Sequence, residues 1–146
     1  MRTCTFFGHR DCPEIIKPAL HSVIESLIAE GVTTFYVGNH GQFDTYVRGA
    51  LGELKKKYPH MDYAVVLAYL PTAGEGSGDT IYPEGMEIGP PRFAIERRNR
   101  WMLRQAEVVV SYVRYTWGGA YKFKSAAEKQ GKRVIELWSR EEKEVQ

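Results

Sequence analysis

The sequence has 146 residues, enough for one domain with a single core, since chains of about 150 residues hide roughly 70% of their unfolded surface. With 43% hydrophobic and 26% charged residues the composition excludes disordered and fibrous classes, and no apolar run approaches the roughly 20 residues of a membrane span. No membrane partner is therefore expected and the expected location is cytoplasmic; the formal net charge of +2 gives little chain-wide attraction for nucleic acid, which is not expected as a partner although Lys55 to Lys57 and the segment from Arg92 to Arg104 are locally basic.

The first predicted strand is Thr3 to Phe7. A helix is predicted from Glu14 to Glu30, with Ile15, Ala19, Val23, Leu27 and Ile28 three to four residues apart and Gly31 as its cap. Thr33 to Val37, rich in β-branched and aromatic residues, is the second strand. The second helix runs from about Phe43 to Lys57 and is stopped by Pro59, its lysines 55 to 57 forming a solvated basic end. Tyr63 to Tyr69 is the third strand. The stretch from Pro71 to Pro91, with five glycines and four prolines, is a long loop of a kind that often carries function.

A third helix, about Arg92 to Gln105, leads into a strand at Glu107 to Tyr112, whose three valines mark burial on both faces. Gly118 and Gly119 open a fourth helix that ends near Gly131, and Arg133 to Leu137 is the last strand. The alternation predicts an α/β, Rossmann-like three-layer sandwich with about five mainly parallel strands and helices on both faces. Residues 1–138 form this domain and 139–146 a charged tail.

In an open parallel sheet, loops leaving the C-terminal strand ends converge on one crevice, where helix N-termini present free backbone donors. The unusual residues fall in those loops: Gly8-His9-Arg10, then GNHGQFD from Gly38 to Asp44, then YTWGGAY from Tyr115 to Tyr121. Gly38, Gly41, Gly118 and Gly119 suit an anion cradle or plain tight turns. His9 is a phosphate contact, an acid or base, or a hydrogen-bonded loop histidine, and Arg10 beside it favours an anion. Asp44 either caps the second helix or reads ribose hydroxyls. Tyr115 and Trp117 can stack on a base, whereas Trp101 and Met102, at helical spacing with Ile95, read as core. Cys4 and Cys12 read as reduced thiols. His40 and His60 have no acidic partners at ligand spacing, so no metal and no cofactor are expected.

Taken in order, TFFGHRDCP, GNHGQFD, ERRNRWM and YTWGGAYKFKSAAEKQGKRVIEL resemble the SLOG superfamily, the nucleotide-binding group that includes LONELY GUY phosphoribohydrolases and the DNA-processing protein A family; within it the likeness is to small YpsA-like proteins. The resemblance spans nearly the whole chain. It implies a ligand site built from Gly8, His9, Arg10, Gly38, Gly41, Asp44, Arg98, Asn99, Gly118 and Gly119, and Asn39 and Trp117 of the same loops complete the candidate set. Members that cleave nucleotide N-glycosidic bonds resemble a PGGxGTxxE pattern with a catalytic Glu in the fourth helix. Here WGGAYKFKSAAE supplies Glu128 too far along, so that chemistry does not carry over. A replacement carboxylate would have to come from Asp79, Glu84, Glu87 or Glu96, and no catalytic residue is assigned.

The leading function is therefore binding of a phosphate-bearing, nucleotide-derived small molecule at the C-terminal edge of the sheet, as a sensor or binding protein. The alternative is an enzyme, a nucleotide N-glycosidase or phosphoribohydrolase. Single-stranded DNA binding ranks third, for want of a long basic face and extra domains. A homo-oligomer is left open, with Trp138 and Tyr121 as candidate contact residues.

Overall fold

The computed structural model describes residues 2–70 and 80–138. A six-stranded sheet of order β4-β3-β2-β1-β5-β6, every neighbouring pair parallel, is built from β1 (Arg2–Gly8), β2 (Val32–Val37), β3 (Asp62–Val66), β4 (Thr80–Ile81), β5 (Val108–Tyr112) and β6 (Arg133–Glu136). The helices are α1 (Lys17–Ala29), α2 (Gly41–Lys57), α3 (Ala94–Gln105) and α4 (Gly118–Lys129), with single 3-10 turns at Glu14–Ile16 and Pro91–Phe93.

Alternation along the central strands feeds two cores. Cys4 and Phe6 of β1, with Val108, Val110 and Tyr112 of β5, join the apolar stripes of α1 (Leu20, Val23, Ile24, Leu27, Ile28) and α2 (Phe43, Val47, Leu51, Leu54). On the opposite face Phe7 and Val109 meet Met102 and Leu103 of α3 and Phe123 and Ala127 of α4. β5 is buried along its whole length because helices cover both sides of it, as its run of valines predicts.

The sequence suggested about five strands, and the described residues form six. The addition is β4, two residues inside the long loop, too short to show any periodicity; it pairs beside β3 at Val65 and Val66, and Leu67 then donates to the Ile81 carbonyl at 2.8 Å. The third strand also stops at Val66, short of the predicted Tyr69. Part of the loop, residues 71–79, lies outside the described residues, as does the predicted tail at 139–146. Trp138 packs against the core beside Leu137 and is not the exposed contact residue expected, whereas Tyr121 is exposed. Among the described residues no helix is long and apolar enough to cross a membrane.

Candidate functional site

β1 hands the chain outward to β2, and after β4 the chain returns to β5 on the other side of β1. Loops after β1 and β5 therefore part in opposite directions, and the gap between them is where open α/β sheets bind ligands. A crevice of about 280 Å3 occupies this point. Gly8, His9, Arg10, Asp44, Arg98, Asn99 and Gly119 of the candidate set line it, over an apolar floor of Phe6, Phe7 and Met102.

Arg98 is the organising cation. It stands one helical turn before Met102 on the inner face of α3 and is only 3% exposed. Its Nε donates to Asn99 Oδ1 at 2.8 Å, and Nη1 reaches Asn39 Oδ1 at 3.3 Å and the Val66 carbonyl at 3.4 Å. Burial pushes its pKa below the ordinary guanidinium value, and the negative charge of Asp44 pulls it back.

Asp44 lies in the first turn of α2, where its Oδ2 accepts the backbone N–H of His40, the N-cap residue, at 3.0 Å. Of the two roles open to it, capping is present in the structure. Burial raises its pKa; the His40 amide and then Arg98 oppose the shift.

His9 and His40 face the same space. His9 Nε2 accepts the Arg114 backbone N–H at 2.8 Å, and His40 Nδ1 lies 3.4 Å from Arg98 Nη1. Both are held below the usual imidazole pKa, first by burial; Arg98, Arg10 and Arg48 press further on His40, while Glu136 opposes and Arg114 assists the shift at His9. A pKa below the ordinary imidazole value favours the neutral form of both rings at pH 7.

The glycines divide into two kinds. A Cβ on Gly8 would lie 2.2 Å from the Phe43 ring, one on Gly38 2.6 Å from Arg98 Nη1, and one on Gly41 2.5 Å from the Arg10 Cα. These three are glycine because the protein's own atoms fill the space that a side chain would take. Gly118 and Gly119 are the opposite case: among the described residues nothing beyond their chain neighbours and their own helix lies within 4 Å of a Cβ placed at either. Gly118 needs its glycine for φ of +90°, but Gly119 has neither positive φ nor crowding to explain it.

Trp117, the N-cap of α4, supplies no side-chain cap to that helix, and Gly118 faces a separate shallow depression with Tyr121 and Lys122. Trp117 is 67% exposed and stacks on Tyr115 with centroids 4.7 Å apart; Tyr115 in turn lies 5.0 Å from the His9 ring. Sequence reasoning weighed His40 only as a metal ligand and missed it as a crevice residue, although it sits in the middle of GNHGQFD.

The replacement carboxylates are not brought in. Glu96 is paired with Lys122 and Arg100, Glu84 lines a depression beyond α3 with Arg97 and Trp101, and Glu87 and Glu128 are exposed outside the crevice. Asp79 lies outside the described residues. Among the described lining residues Asp44 is the one carboxylate.

No family model and no curated protein matches the chain. Solved structures do. DNA processing protein A from Streptococcus pneumoniae aligns with a TM-score of 0.69 at 18% identity, over 93% of this chain and 50% of that one. DNA processing protein A from Helicobacter pylori, described by its unique single-stranded DNA binding mode, aligns with a TM-score of 0.62 at 15% identity, over 92% of this chain and 64% of that one. This chain thus spans half of the first protein and under two thirds of the second. The likeness is one of fold, and it agrees with the SLOG resemblance at that level.

The expectation that excluded nucleic acid is corrected by this finding, since a protein of the same fold is described by its binding of single-stranded DNA. The exclusion rested on net charge, which averages over the whole chain, and on the want of a long basic face and extra domains. Local clusters set the potential at a crevice, and here Arg10, Arg48 and Arg98 all act on the one ring of His40.

Proposed function

We propose that this chain, which shares the fold of DNA processing protein A, binds a phosphate-bearing nucleotide unit in the crevice outside β1 and β5. The phosphate lies between the first-turn amides of α4 and the guanidinium of Arg98, and the base lies on the Tyr115–Trp117 pair at the mouth. One observation carries this. Gly119, which nothing among the described residues requires to be glycine, opens onto the same crevice as a buried arginine at the N-terminus of a helix whose N-cap Trp117 makes no side-chain cap bond. Unpaired N–H groups and a partial positive charge at that end attract an anion, and a missing Cβ allows close approach.

Binding is favoured over hydrolysis because cleavage of an N-glycosidic bond needs a carboxylate beside the anomeric carbon. Asp44 already engages the His40 amide. One form of the ligand is a free nucleotide derivative, held in a crevice of about 280 Å3. A second form of the same ligand, one unit of a single strand, is favoured by the DNA-binding relative of this fold and by the exposed aromatic pair beside Arg114, whose guanidinium lies 5.7 Å from the Tyr115 ring.

Titration with nucleoside monophosphates and with short single-stranded oligonucleotides, at two salt concentrations and with base release followed in parallel, tests the proposal. Saturable binding that Arg98→Ala weakens supports it, and affinity for oligonucleotides falling steeply with salt selects the single-strand form. Released base restores the hydrolase. Failure of both ligand types to bind ends the proposal.

A further inference from the structure

One contact reaches from the crevice to the loop that carries the exposed aromatic pair. His9 follows the end of β1, and its backbone N–H donates to the Tyr112 carbonyl at 3.3 Å, anchoring it to the end of β5. Its Nε2 accepts the Arg114 amide at 2.8 Å, and its ring lies 5.0 Å from that of Tyr115, which stacks on Trp117 at an interplanar angle of 24°. A ring nitrogen that accepts an N–H carries no proton, so the neutral imidazole holds its hydrogen on Nδ1.

We propose that His9 is a positioning residue for base recognition: its Nε2 clamps the Arg114 amide and thereby holds Tyr115 and Trp117 as a stacking platform for the base of a nucleotide whose phosphate occupies the crevice. This rests on the nucleotide reading and deepens it. Tyr115 and Trp117 are 42% and 67% exposed, so burying them does little to hold their part of the loop, which is already tied at Val113 by burial and by its N–H to Glu136 Oε2 at 3.0 Å. The His9 clamp adds a tether one residue further on, and this one comes from the ligand site itself.

The clamp works in one protonation state. A protonated Nε2 becomes a donor facing a donor, and the contact with Arg114 fails. The charged groups facing His9 are Arg114 on the clamped loop and Glu136 on β6, with Arg10, His40, Asp44 and Arg98 around the same crevice. A cationic His9 would, however, favour a phosphate. The two halves of a nucleotide therefore respond oppositely to falling pH: the contribution of the base is lost while that of the phosphate is kept.

The test compares a nucleoside 5′-monophosphate with ribose 5-phosphate by calorimetry from pH 7.5 to 5.5, on the full chain, His9→Gln and His9→Ala. Both ligands carry the same phosphate, so its own titration cancels in their affinity ratio. That ratio is expected to be about tenfold at pH 7.5, as base stacking on an aromatic supplies, and to fall toward one as pH drops. In His9→Gln, whose amide oxygen accepts an N–H without titrating, it stays high throughout; in His9→Ala it is low throughout. His40 titrates in wild type and His9→Gln alike, so the difference between them isolates His9. In the ligand-free protein the Arg114 amide resonance should follow the titration of the His9 ring. A ratio that stays constant in wild type over the pH range in which the His9 ring itself titrates by NMR, or that is unchanged in His9→Ala, overturns the positioning role while the nucleotide reading stands. Absence of binding by both ligands overturns both.

Discussion

Gly38 stands between Arg98 and Asp44, so that a Cβ at this position would lie 2.6 Å from Arg98 Nη1 and 2.8 Å from Asp44 Oδ2. The two charges converge on a site from which any side chain is excluded. Gly38→Ala should cost about 1–3 kcal/mol through overpacking and displace the guanidinium. Urea unfolding measures the first effect, and loss of nucleotide binding the second.

Arg98→Ala removes the donors to Asn39, Asn99 and Val66 as well as the charge. It should lower stability by about 1.5–3 kcal/mol, so its effect on affinity must be read at a temperature where the variant is folded. Arg98→Lys keeps the charge without the planar fork and should recover only part of the affinity. Full recovery would show that charge alone suffices.

Asp44 allows a sign test. Burial holds its folded pKa above the ordinary 3.8, so the unfolded chain ionises first and this contribution to stability is lost as pH rises through the folded value. Asp44→Asn keeps an acceptor for the His40 amide and cannot ionise. It should match or exceed wild-type stability at pH 7, with the advantage vanishing below about pH 4. Asp44→Ala, lacking the acceptor, should lose about 1 kcal/mol relative to Asn. Equal nucleotide affinity in wild type and Asp44→Asn would restrict Asp44 to capping.

The adjacent glycines of α4 should behave differently. Gly118→Ala forces a side chain into φ of +90° and should destabilise by about 1–2 kcal/mol. Gly119→Ala meets open space at an ordinary φ, so stability should hold or rise by up to about 1 kcal/mol while nucleotide affinity falls. A Gly119→Ala variant that binds as well as wild type would place the phosphate elsewhere.

His9 and His40 both titrate below the ordinary 6.5 when folded, chiefly because of burial. The unfolded chain therefore takes up protons first, and the stability these residues contribute above about 6.5 is lost as pH falls through their folded values. Between pH 7 and pH 5 the melting temperature of wild type should drop further than that of a His9→Gln/His40→Gln variant. Parallel curves would show that the two rings stay accessible to protons in the fold.

The α/β class was legible because helical spacings such as Val23, Leu27 and Ile28, and the doubly buried run Val108 to Val110, write their period directly into the sequence, although Ile15, read as part of the same stripe, lies exposed before α1. The candidate loops were legible for a related reason. Rossmann-like sheets send ligands to the C-terminal strand ends, and residues with no use in a core, such as His9, Asp44 and Gly119, stand out there. β4 was not, since two residues carry no period and their pairing with β3 depends on chain far away in sequence.

Which candidates share one crevice was decided by packing alone. Gly8, Gly38, Gly41 and Gly119 look alike as letters, yet the first three are filled by Phe43, Arg98 and Arg10 and the last is open. His9 accepts an amide 105 residues away, and Arg98 reaches Asn39 across 59. Local pattern determines which face of an element is apolar. Contacts between distant loops depend on where the sheet brings their ends, and only the folded chain fixes those positions.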